Sequence, residues 1–229
     1  MQRSSSPEVE DDSVLGGDDA GSKLDSERAT PHDWWAATLL ADAEGDAPQA
    51  LDRLRLLLGH ARSGWYWIGV PEPEHLPHAT RIALGCGDID AAGALADVAA
   101  RLARRNPAVA VINGVAAHAA ALVSPDPDGF RYAVRLLADG RRPLATASAQ
   151  EDLGALYATR DASAQAIGLI EVAHQTYQRC GAARDAARTR RRLRRLGVIK
   201  RQPAPARPSH GWEASPPPSC RSAGWSPRV

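Results

Sequence analysis

The sequence is poor in residues that would staple it together. Its three cysteines, Cys86, Cys180 and Cys220, are odd in number, far apart and without a CxxC pair. That excludes a disulfide framework and fits a reducing interior. Phenylalanine and methionine occur once each, and only two of the 28 basic residues are lysines, Lys23 and Lys200. No run reaches the ~18 to 20 uninterrupted apolar residues that a membrane span needs. The amino terminus, Met-Gln-Arg-Ser-Ser-Ser-Pro, lacks the apolar stretch of a secretory signal. A cytoplasmic protein with no membrane partner is expected.

What is abundant is alanine, 44 residues, and arginine, 26 residues. The hydrophobic content of 44% excludes wholesale disorder over the 229 residues. An Ala/Arg/Gly/Pro bias is also what GC-rich coding produces, so residue spacing says more here than helix propensity does. The net charge of +1 hides a polarity. Residues 1–33 carry nine acids against Arg3, Lys23 and Arg28, whereas the chain from Arg179 onward has thirteen bases against Asp185 and Glu213. A basic end of this kind suits an anionic partner or a solvated arginine-rich helix.

Three segments follow from composition. Residues 1–32 are acidic and rich in Ser and Gly, and are expected to be disordered. Residues 201–229 hold seven prolines, which remove amide donors and fix φ, so a disordered tail is expected there. Between them, residues 33–200 form the foldable part.

That part repeats. Four segments end an apolar stretch with a turn containing Asp: Leu40–Asp46, Leu84–Asp88, Leu122–Asp126 and Leu156–Asp161. Their aspartates, 42, 38 and 35 residues apart, stand where a helix N-cap would accept free amides. Gly45 and Gly87 can adopt the left-handed conformation that ends a helix. Apolar stripes at helical spacing include Leu51/Leu54/Leu58/Ala61, Ala91/Leu95/Val98/Leu102, Phe130/Ala133/Val134/Leu137, Ala145/Ala149/Leu153/Leu156 and Ala166/Ile170/Ala173/Tyr177. Residues 108–123 are apolar all round apart from Asn113 and His118, which predicts a helix buried among neighbours. Pro143 fits the first turn of a helix. Trp65–Val70 resists the pattern and reads as a short strand or an irregular aromatic connector. A recurrence of ~35 to 45 residues built from helix pairs is the mark of tetratricopeptide-like solenoids. The expected fold is all-α, with antiparallel helical hairpins stacked as such a solenoid.

Catalytic motifs are missing. Gly16–Lys23 has the Lys and Ser of a phosphate loop in the wrong order, with two acids inside it and no strand before it. His75 and His78 flank Pro77 without a second ligand cluster, and read as solvent-facing histidines, not a zinc site. His118 reads as a satisfied core or groove histidine. Glu151 and Asp152 are adjacent, so on a helix they point about 100° apart and do not share a proton. No nucleophile elbow is present. The expectation is a protein that is not an enzyme, with no catalytic, cofactor or metal residues. The arginine run on a helix over 182–196 reads as a polar helix that closes the stack. Its alternative is a phosphate-tracking surface through Arg184, Arg188, Arg191, Arg192 and Arg195, which would make the chain an autonomous nucleic-acid binder using residues 182–201.

The stretches Arg142–Gly154, Gln165–Arg188 and Arg192–Val198 resemble the C-terminal half of large actinobacterial regulators of the LuxR family, the ATP-binding, MalT-like kind. The motifs Arg-Pro-Leu, Glu-Asp-Leu-Gly, Gly-Ala-Ala-Arg-Asp and Leu-Gly-Val occur in the family's order, and the likeness runs over about residues 80–213, more weakly over 34–62. The resemblance implies a tetratricopeptide-like region that in intact relatives lies between a phosphate-loop ATPase and a DNA-binding helix-turn-helix. Gly211-Trp212-Glu213-Ala214 is similar to the start of that last domain, and the chain then departs into Pro-rich sequence, as a frame slip would produce. Neither an ATP-binding nor a base-reading residue carries over. The implied function is a truncated transcription regulator: a helical-repeat sensor or interaction region. Its partner would be a protein or small-molecule ligand in the solenoid groove, with DNA bound only through the missing domain. Self-association through the ends of the stack is a further expectation.

Overall fold

The computed structural model describes residues 30–62 and 72–198. These form nine α-helices and one 3-10 turn, with no strand among the described residues. The helices are α1 (Pro31–Glu44), α2 (Ala47–Arg62), α3 (Leu76–Gly85), α4 (Ile89–Arg105), α5 (Ala110–Val123), α6 (Pro127–Asp139), α7 (Pro143–Ala158), α8 (Ser163–Arg179) and α9 (Ala183–Arg195), with the 3-10 turn Pro73–His75 leading into α3. Trp65–Val70 and the two terminal tails lie outside the described residues.

Local chemistry sets most of the boundaries. Thr30 and Asp33 form a reciprocal capping box at the start of α1. Asp46 accepts from the amide of Gln49 at 3.0 Å, Asp88 from Ala91 at 2.9 Å, and Asp126 from Gly129 at 2.9 Å. Pro127 and Pro143 occupy first turns. The fourth aspartate of the repeat departs from the expected role. Asp161 has φ +56°, and so sits in the left-handed residue after α7, while Ala162 precedes α8 without a side-chain cap. Asp tolerates that conformation better than most L residues do, so here the acid replaces the glycine and not the cap.

Each helix packs on the next, and alternate helices also meet: α2 on α4, α3 on α5 and α5 on α7. The result is a strand-free array of hairpins, α1/α2, α3/α4, α5/α6 and α7/α8, with α9 added at the end. The principal core runs from Trp34 and Trp35 through Leu54, Leu57, Leu76, Leu95 and Val115 to Leu137. Smaller clusters around Phe130 and Leu153, and around Ala173 and Tyr177, continue it into the last hairpin. Two glycines allow close helix contacts. A Cβ on Gly114 would lie 2.8 Å from Leu137 Cγ, and one on Gly154 would lie 2.7 Å from Ile170 Cγ1 and 3.1 Å from the Ala166 carbonyl. At both sites the partner helix occupies the space a side chain would need.

Candidate binding wall of the odd-numbered helices

The odd-numbered helices are joined by polar side chains that cross from one to another. Their centre is the pair of neighbouring acids on α7. The turn of about 100° per residue sends the two carboxylates in different directions. Glu151, fully buried, faces α8 and α9. Arg188 grips it with Nε at 2.8 Å and a terminal nitrogen at 2.6 Å. Arg192 Nε stands 3.2 Å away, and the Tyr177 hydroxyl donates at 3.1 Å. Two-point contact of this kind fixes the orientation of the acid. Burial and the Glu151 charge push the Tyr177 hydroxyl pKa up, keeping it a donor. Burial opposes the charge of Arg188, but its hydrogen bonds to Glu151 prevail and raise its pKa. A bridge to Asp185 at 2.6 Å completes the set.

Asp152, also buried, faces α3 and α5. His118 Nε2 lies 2.8 Å from its carboxylate, and Arg81 Nε lies 3.6 Å away while donating to Ser148 at 2.7 Å. Burial on its own would raise the Asp152 pKa, but the Arg81 charge and the His118 hydrogen bond outweigh it and hold the carboxyl at about 2. An ionised carboxylate only accepts, so His118 donates through Nε2–H. Burial pushes the His118 pKa down against the pull of Asp152, and the imidazole is neutral. Phe130 packs edge-on to the ring at 5.8 Å.

The wall extends to α1. Asp42 takes a hydrogen bond from Arg184 at 2.8 Å and stands 3.4 Å from His78. The contact to His78, with the Arg184 charge, lowers its pKa to about 2. His75 stacks on Trp35 with centroids 5.1 Å apart, and His78 meets the same ring edge-on at 6.0 Å. Both histidines are therefore half-buried packing groups on the amino-terminal hairpin, not the solvent-facing pair expected from the Pro-rich connector. Among the described residues, no three metal-ligating side chains come together.

The five arginines proposed for phosphate contact separate into two groups. Arg184, Arg188 and Arg192 reach Asp42 and Glu151, whereas Arg191 and Arg195, at helical spacing along the same stripe of α9, are exposed. These three were not legible as a clamp, because their acidic partners lie far off in sequence and on other helices, 37 residues before Arg188 and 142 before Arg184. The one available signal was two adjacent acids as the sole charges of a helix, which, if buried, demand cationic partners somewhere.

Among the described residues, no helix is long and apolar enough to cross a membrane. Comparison with protein-family models, curated proteins and solved structures finds no match to this chain.

Proposed function

We propose that the chain is a tetratricopeptide-like helical-repeat module that works by binding, as the sensor or protein-interaction region of a LuxR-type transcription regulator does. The observation that supports this most is the wall itself. Four hairpins and a closing helix direct their odd members to one shared surface, and buried acids of α7 hold that surface together from α3 to α9. Helical repeats present ligands with a wall of this type, made of one helix per hairpin. The binding reading treats the histidine–aspartate pair as packing of the wall: His118 is 1% exposed and its Nε2 is taken by Asp152. The nucleic-acid alternative has less support, since three of its five arginines already hold carboxylates of this chain.

Nucleotide sequencing on both sides of the reading frame tests the parentage. A phosphate-loop ATPase upstream and a helix-turn-helix in another frame downstream are the expected findings. Intact, unrelated genes on both sides would contradict the LuxR assignment and leave the binding module to be judged by its own ligands.

A further inference from the structure

On the edge of the array, the turn between α6 and α7 meets the end of α8 around a groove of about 400 Å³. Three arginines line it: Arg141 and Arg142 in the turn and Arg179 at the end of α8. The rest of the lining is Thr146, Gln150 and Thr176 with a few small apolar groups, and no carboxylate is among them. The arginines of the wall, Arg81, Arg184, Arg188 and Arg192, each hold an acid of the chain. Here only Arg142 does, through one edge, with Glu74 at 3.1 Å, and its side chain stays half exposed. Arg179 donates to Thr176 Oγ1 at 3.1 Å, a contact between two lining residues of the groove. The positive charge gathered here exceeds its compensation, and it is arranged around a concavity and not spread on a convex helix.

We propose that this groove is a binding site for a small phosphorylated ligand, its phosphate or pyrophosphate group held by Arg141, Arg142 and Arg179. Guanidinium groups suit this chemistry because their planar forks match phosphate oxygens two at a time. The volume falls within the range of small-molecule sites, ~300 to 1,000 Å³, and is too small for a folded partner. Gln150 supplies a neutral polar group for the remainder of such a ligand, while the Thr146 and Thr176 hydroxyls donate to the Arg142 and Val172 carbonyls of the groove wall. The inference rests on the groove alone and goes beyond the wall of odd helices, so it stands or falls independently of the LuxR assignment.

The test is calorimetric titration of the full chain with inorganic pyrophosphate at constant ionic strength, repeated for Arg141→Gln, Arg179→Gln and, on α9 outside the groove, Arg191→Gln/Arg195→Gln. The expected result is saturable binding to one site, weakened tenfold or more by each groove substitution and unchanged by the α9 pair. Arg141 is exposed in a turn, so its variant keeps the test valid should Arg179→Gln disturb α8. Absence of saturable binding, groove variants that bind like the parent, or an equal loss in the α9 pair would each overturn the proposal.

Discussion

Arg184, in the first turn of α9, donates to the carboxylate of Asp42 near the end of α1, at 2.8 Å and across 142 residues of sequence. The same guanidinium also donates to the Asp42 carbonyl at 2.8 Å. The first and last described helices therefore touch, and the array curves until its two ends share an ion pair. Arg81 spans the interior in the same way, reaching from α3 past α5 to Ser148 and Asp152 on α7.

The Asp42–Arg184 pair is partly exposed, with side-chain accessibilities of 31% and 50%, so solvent screening limits its worth. Arg184→Gln is expected to lower unfolding stability by about 0.5 kcal/mol. Urea titrations at low and high salt check this, with the difference from the parent shrinking as salt rises.

Glu151 is a different case. Glu151→Ala leaves Arg188 and Arg192 facing each other with no buried acid between them. A loss of about 3 to 5 kcal/mol is expected, the range for breaking a buried ion pair from one side. Arg192→Gln, which leaves the two-point grip of Arg188 intact, is expected to cost about 1 kcal/mol. Urea midpoints of both variants at pH 7 give the comparison, and equal effects would contradict the hierarchy.

Acid should loosen the array in two stages. His118 has a folded pKa below its unfolded value, so as pH falls through about 6.5 the unfolded chain takes up a proton that the buried imidazole refuses. Stability drops over that window. Asp42 and Asp152 have folded pKa values of about 2, below the ordinary ~3.9. Their contribution is full above the unfolded value and is lost as pH falls from about 5 towards 2. Unfolding midpoints from pH 7.5 to 3 should trace both declines, and His118→Gln should shrink the first, which His75 shares because burial lowers its pKa too, while leaving the second.

The hairpins were largely readable from punctuation: Asp46, Asp88 and Asp126 cap helices, Pro143 opens one, and Gly45 and Gly87 have φ of +85° and +76°. These are interactions between residues a few positions apart. Asp161 broke the series because Asp serves two local roles, cap acceptor and left-handed residue, and the local sequence suits both. The ion pairs of the wall were not readable, since Arg188 meets Glu151 and Arg81 meets Asp152 only through the stacking of hairpins. Adjacency of Glu151 and Asp152 concealed their purpose: the divergence that stops them sharing a proton is what lets one α7 turn reach both α3 and α9.

Glycines in the last hairpin should respond with opposite signs. Gly154→Ala puts a methyl group against Ile170 and the Ala166 carbonyl, and a loss of about 1 to 3 kcal/mol is expected from overpacking. Gly168→Ala, on the exposed face of α8 with nothing within 4 Å, should gain about 0.5 to 1 kcal/mol from helix propensity. Thermal unfolding of the two single variants distinguishes them.

The claim that the acids of α7 hold the odd helices together is tested most directly by a double-mutant cycle on Glu151→Gln and Arg188→Gln, read as urea unfolding free energies. A coupling of about 1 to 3 kcal/mol, the size found for residues in one contact network, is the expected result. Additive single effects, with a coupling near zero, would contradict it, because α9 would then not be clamped to α7 through these side chains.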